Sequence, residues 1–168
     1  MSNEAEQIDD VVDIDAESDL GDEYLTFQLA DEEYGVDILK VRELRGWESV
    51  TRIPNSPSYV KGVLNLRGAI VPIIDLRERF NLTVTDLSEM TVVIVLAVKD
   101  KKDGHERTMG VVVDSISDVV HAKLNDVQAT PEFGSHLDTE YIAGLADAKG
   151  KMLMLLDVDA MLSISRMG

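Results

Sequence analysis

The sequence predicts an all-β protein built from two similar small β-barrels with short helices. Three observations carry that prediction. Apolar runs of strand length come in pairs around turn residues, within 60–76, 91–113 and 142–156. The first and third pairs are copies of each other. Gly62 and Gly68 are six residues apart, as are Gly144 and Gly150, and Gly62 and Asp75 are thirteen apart, as are Gly144 and Asp157. A period near 80 residues is too long for a solenoid and fits two related β-units. Finally, helical periodicity is scarce and only 5% of residues are aromatic, so the cores are assembled mainly from Val, Ile and Leu.

Each element comes from local pattern. Residues 1–23 hold ten acids and no base, interleaved with small aliphatics, and read as a disordered tail. Order begins at Tyr24, where Tyr24–Leu29 alternates apolar and polar as a half-buried strand does. Asp31-Glu32-Glu33 supplies a turn and Tyr34-Gly35-Val36 returns. Ile38, Val41 and Leu44 recur every three residues, which predicts a short helix ended by Gly46. Pro54 and Pro57 break any regular structure between Gly46 and Val60. The run 60–76 is a hairpin turning at Arg67-Gly68, and Pro72, which lacks an N–H, places its strand at an edge or a bulge. Thr91–Val98 and Met109–Val113 form a second hairpin around the charged loop Lys99–Arg107. Ile142–Ala148 and Met152–Leu156 form the third, turning at Lys149-Gly150. Asp75 and Asp157 read as N-caps of short helices. A fainter echo links Tyr34-Gly35-Val36 with Met109-Gly110-Val111. The division expected is a first barrel over 24–84 and a second over 85–168, with room for strands to exchange between them.

Charge and composition bound the function. The 168 residues carry a formal charge of −16, a field that repels phosphate backbones and argues against nucleic acid as a partner. Most of the excess sits in the tail, and residues 24–168 hold 22 acids against 16 bases. Within them Lys40, Arg42, Arg45, Arg52, Lys61, Arg67, Arg77 and Arg79 make a basic island, a first hint of a contact surface. Cysteine is absent, so thiolate chemistry and disulfides are out. No basic-then-apolar leader opens the chain and no run approaches a membrane span, which predicts a cytoplasmic protein without direct membrane insertion.

No catalytic constellation stands out. His105, His121 and His136 lack the spacing of a metal site, and Asp13, Asp15 and Glu17 lack the glycine that a calcium loop needs. No hydrolase, metalloprotease or nucleotide-binding motif occurs. The expectation is therefore a non-enzyme with no cofactor and no metal. Its distinctive features are the hairpin tip Asn65-Leu66-Arg67-Gly68 and the segment Ile38–Arg45. An arginine on a rigid turn suits an interface anchor.

Two stretches, Asp31–Val41 and Lys61–Arg77, closely resemble the CheW chemotaxis coupling family, with further matches at Gly110–Val119, Thr139–Leu145 and Met152–Leu156. The resemblance runs from about Tyr24 to Leu162. It implies two five-stranded SH3-like barrels. It also implies an adaptor that joins chemoreceptor hairpin tips to the CheW-like regulatory domain of the histidine kinase CheA, in membrane-associated arrays that leave room for self-association. Carried over by residue, the receptor-binding set is Ile38, Val41, Glu43, Gly62, Arg67 and Val119, and kinase contacts are left unassigned. Within the chain no receiver domain follows and no ATP-binding motif precedes, which points to the free-standing adaptor. The rival reading is a small acidic β-barrel that binds nucleic acid or another partner; only the basic island supports it.

Overall fold

The computed structural model describes residues 22–82, 87–122, 139–148 and 150–163. In chain order these form β1 (Asp22–Leu29), β2 (Glu32–Asp37), a 3-10 turn (Ile38–Lys40), β3 (Val41–Gly46), β4 (Val60–Leu66), β5 (Ala69–Asp75) and helix α1 (Leu76–Arg79). Then come β6 (Val92–Lys99), β7 (Glu106–Val113), β8 (Ser115–Ala122), a 3-10 turn (Thr139–Tyr141), β9 (Ile142–Ala148), β10 (Lys151–Leu156) and helix α2 (Val158–Met161). The acidic tail lies outside the described residues except for its last two. Asp22 and Glu23 belong to β1, so the first strand starts two residues earlier than the sequence pattern indicates.

The strands form two five-stranded sheets, ordered β8-β1-β2-β10-β9 and β3-β6-β7-β5-β4. The boundary between sheets does not fall near residue 84. Each sheet takes the first hairpin of one half of the chain and the last three strands of the other half. Each sheet joins the halves twice, once by a longer antiparallel ladder (β1 with β8, β3 with β6) and once by a short parallel one, Ile73–Asp75 on Gly110–Val112 and Met154–Leu155 on Tyr34–Gly35. This explains the faint echo seen in the sequence. Gly35 and Gly110 pair with Leu155 and Ile73, which are themselves 82 residues apart. A Cβ on Gly110 would come within 2.6 Å of Ile73 Cδ1, and one on Gly35 within 3.1 Å of Leu155 Cδ2. A side chain at either glycine would require Ile73 or Leu155 to shift.

Three apolar clusters hold the sheets. A central one joins both, with Leu25, Phe27, Leu29, Tyr34 and Val36 from one sheet against Ile94, Leu96, Val98, Met109 and Val111 from the other. Leu64, Val71, Ile73, Val93, Val95 and Val112 fill one barrel, and Val120, Ala122, Ala146, Leu153 and Leu155 fill the other. β6 therefore buries both faces, Val93 and Val95 inward and Ile94 and Leu96 towards the centre, so its sequence is a continuous apolar run. The fold is all-β with short helices, as the pattern predicts.

Two expectations are corrected. Ile38–Leu44 is not a helix. It is a three-residue turn followed by a strand in which Val41, Glu43 and Arg45 are half-buried while Arg42, Leu44 and Gly46 are exposed. The ladder offered by β6 overrides the three-residue recurrence. Pro72 does not mark an edge, because β5 lies between β7 and β4. The bulge is in β4 at Lys61, and the parallel ladder to β7 starts at Ile73, one residue past the proline. The predicted caps are present. Asp75 accepts from Arg77 N–H and Asp157 from Ala160 N–H, while their own N–H groups donate to the carbonyls of Tyr59 and Tyr141, each at 2.8 Å. These tyrosines are a further pair 82 residues apart.

Candidate functional site

The β4–β5 turn is set by backbone chemistry. Leu66 pairs with Ala69, and the two residues between them, Arg67 and Gly68, have φ of 53° and 88°, the signature of a type I′ turn. Asn65 Oδ1 accepts the Gly68 N–H at 2.9 Å and fixes the loop. Arg67 is thereby presented with 84% of its side chain exposed, its guanidinium 3.6 Å from Glu43 Oε2. Glu43 in turn bonds Arg45 at 3.0 Å, and Arg45 bonds Glu48 at 3.0 Å. Those hydrogen bonds, to Glu48 first and then Glu43, hold the Arg45 guanidinium above its ordinary pKa.

Glu43 and Arg67 come from opposite edges of one sheet, β3 and the end of β4. Their meeting reflects barrel closure. Past β3 the chain reaches back across the open side, where Thr51 and Val63 exchange two backbone hydrogen bonds. Gly62 makes this approach feasible: its φ is 148°, and a Cβ there would stand 2.2 Å from the Thr51 carbonyl oxygen. The bulge at Arg42 adds a second adjustment. Val41 pairs with Leu96 and Glu43 with Val95, neighbours whose side chains leave opposite faces, so the extra residue re-aims Glu43 relative to Val41.

Of the six expected site residues, the structure thus brings Glu43 and Arg67 into direct contact and sets Gly62 in the same barrel. Ile38 and Val41 are half-buried against the central cluster rather than aligned on a helix. Val119 stands on the other sheet, on edge strand β8 opposite Leu25, 40% exposed. Most of the basic island is paired or packed rather than free charge. Lys40 pairs with Asp159, Arg42 with Glu106, Arg45 with Glu43 and Glu48, and Lys61 with Glu78. Arg77 is buried against Asp75 and Asp114, and Arg79 lies over the rings of Tyr59 and Tyr141, about 5 Å from each. His105 and His121 are exposed, on the loop before β7 and on β8, and His136 lies outside the described residues. Among the described residues no group of acids and histidines could hold a metal ion, and no helix is long and apolar enough to cross a membrane.

Sequence reasoning missed one feature. β5 and β7 splay apart before their short ladder, leaving a cleft of roughly 500 Å³ lined by Ile70, Pro72, Ile74 and Met109, with Arg107 beside them. Its signal was the apolar spacing Ile70-Pro72-Ile74, on the face opposite Val71 and Ile73.

The family described as the CheW-like domain matches residues 23–166. The chain is 47% identical to a chemotaxis protein CheW of Klebsiella aerogenes over 148 residues, 88% of this chain and 86% of that one. It is 36% identical to a CheW of Rhizobium meliloti over 140 residues, 83% of this chain and 86% of the relative. In structure it is similar to the scaffolding protein TtCheW of Thermoanaerobacter tengcongensis, with a TM-score of 0.75 and 29% identity over 86% of this chain and 89% of that chain.

Proposed function

The chain belongs to the CheW family, and we propose that it acts as a non-catalytic adaptor coupling chemoreceptor signalling tips to the histidine kinase CheA in chemosensory arrays. On this reading it works in the cytoplasm beside membrane-bound receptors and meets the CheW-like regulatory domain of the kinase. A second surface then has to be free for the receptor's helical hairpin.

The receptor surface we infer comprises Ile38, Val41, Glu43, Gly62, Arg67 and Val119. The observation that carries it is the presentation of Arg67: an arginine in a left-handed conformation, on a turn fixed by Asn65, with most of its side chain in solvent and one loose carboxylate neighbour. A solvated lysine tail would give a point charge; this turn gives a pre-set fork of five donors for carboxylates or carbonyls of a partner. Ile38 and Val41 supply the apolar part, and Gly62 acts through the backbone by letting Thr51 close the barrel beneath the turn.

Arg67→Glu tests this. The substitution puts a carboxylate beside Glu43, so attraction at the rim becomes repulsion, and affinity for a receptor signalling fragment should fall by about thirtyfold, ~2 kcal/mol. The turn is exposed, so thermal stability should stay near the parent's. Binding to the kinase regulatory domain, titrated separately, should persist. Unchanged receptor affinity would remove Arg67 from the surface, whereas joint loss of both partners would mean a folding defect.

A further inference from the structure

The 3-10 turn that carries Ile38 has no buried residue of its own. Polar ties hold it. Asp37 Oδ1 accepts the Leu39 N–H at 2.9 Å, and Arg42 donates to the Leu39 carbonyl at 3.0 Å. The third tie is long-range. Lys40 Nζ reaches both carboxylate oxygens of Asp159 on α2, at 2.9 and 3.1 Å, across 119 residues of sequence. Asp159 Oδ1 also accepts the Lys99 N–H at the end of β6, at 2.8 Å. One carboxylate therefore fastens three elements: the turn, α2 and the end of β6.

The internal repeat shows what this arrangement is for. Asp159 stands 82 residues after Arg77, at the same place in its helix. Arg77 also fastens the junction after a second hairpin, by donating to Asp114 between β7 and β8 at 2.9 Å. Asp114 Oδ2 accepts the Ala30 N–H at the end of β1, at 2.8 Å, the counterpart of the Lys99 bond. The two clasps are the same joint with the charges exchanged. They differ in burial. Arg77 is 1% exposed and also bonds Asp75 twice, so that clasp is fixed. Lys40 and Asp159 retain 31% and 19% of their side-chain exposure, so theirs is the weaker joint and contributes little to global stability.

We propose that Lys40 and Asp159 are positioning residues for receptor binding: their pair fixes the turn and thereby the placement of Ile38 and Val41 on either side of Lys40. The proposal rests on the receptor surface built around Arg67. A turn released from Asp159 must be re-ordered when a partner docks, and that entropy is subtracted from affinity.

The test uses the full chain with Lys40→Glu, Asp159→Lys, the double variant and Ile38→Asp, each titrated with a soluble receptor signalling fragment. Either single reversal should weaken binding about tenfold, with the double variant recovering most of it. Hydrogen exchange at the Leu39 and Val41 amides, bonded to Asp37 Oδ1 and the Ile38 carbonyl, should quicken in the single variants and slow again in the double. Melting temperatures of the Lys40 and Asp159 variants should stay near the parent's, and Ile38→Asp, which alters a half-buried residue, is compared once circular dichroism shows the native fold. A Lys40→Glu loss that Asp159→Lys fails to restore would overturn the clasp and make Lys40 a direct contact. Normal binding by both single variants, with Ile38→Asp impaired, would overturn the clasp and leave the receptor surface standing. Normal binding by Ile38→Asp as well would overturn the surface itself.

Discussion

Arg77 concentrates the buried charge of this molecule at one point. Its guanidinium bonds Asp75 through Nε and an Nη at 3.0 and 2.9 Å, and Asp114 through the other Nη at 2.9 Å. Asp75 hydrogen bonds raise its pKa further, so it stays charged at any pH the fold survives. Residues such as this were invisible as a buried network in the sequence, where Arg77 counted as one member of a basic island. Gly62 was partly legible, because a glycine inside a strand signals close backbone approach, yet its partner Thr51 lies in a loop ahead of two prolines that no periodicity reaches. Gly62→Ala should cost about 3 kcal/mol in denaturant unfolding, since both its φ and the Thr51 carbonyl oppose a Cβ. Gly46→Ala, with nothing within 4 Å, is the control and should change stability little. Equal stability of the two variants would show that the barrel closes differently.

The caps show how an element's context sets the worth of one residue type. Asp75 and Asp157 occupy matching positions and cap helices of four residues each. Asp157→Ala should cost about 1 kcal/mol, the usual value of a lost cap. Asp75→Ala also strips Arg77 of its main partner in a buried site and should cost roughly 3–5 kcal/mol. Chemical denaturation of both variants reads the difference directly, and similar losses would mean the Arg77 clasp is dispensable. The caps were legible because the repeat announced them. The three hairpins were legible for a similar reason: turn residues lay between apolar runs. β3 and β8 were not, because an edge strand with one half-exposed face carries charged and polar residues at the spacing of neither helix nor buried strand. The candidate site suffered most from this, since β3 holds Val41 and Glu43 and β8 holds Val119. Those positions came from family resemblance, and their local geometry, turn and bulge in place of helix, was beyond the pattern.

At the scale of the molecule, the two barrel interiors should behave as separate cores around a shared centre. Ile73→Asp places an unpaired carboxylate in one interior and Leu155→Asp in the other, each at a position 2% exposed or less. Each should cost ~3 kcal/mol or more by denaturant unfolding, and a variant as stable as the parent would contradict the inward facing. The duplication was readable from glycine and aspartate spacing, but which strands pair was not, because spacing along a chain says nothing about exchange between copies. That exchange interlocks the two halves of one chain as the protomers of a domain-swapped dimer are interlocked. A fragment ending at Leu82 has only isolated hairpins and a stray strand, too little for stable sheet. Fragments 1–82 and 87–168, mixed after separate preparation, should therefore complement one another into a 1:1 particle with native circular dichroism, while each alone lacks that fold or pairs with a second copy of itself. A fragment that folds as a monomer would refute the exchange. The peptide link between the halves would then serve chiefly to keep their stoichiometry and concentration fixed, leaving the fold itself to the interlocked hairpins.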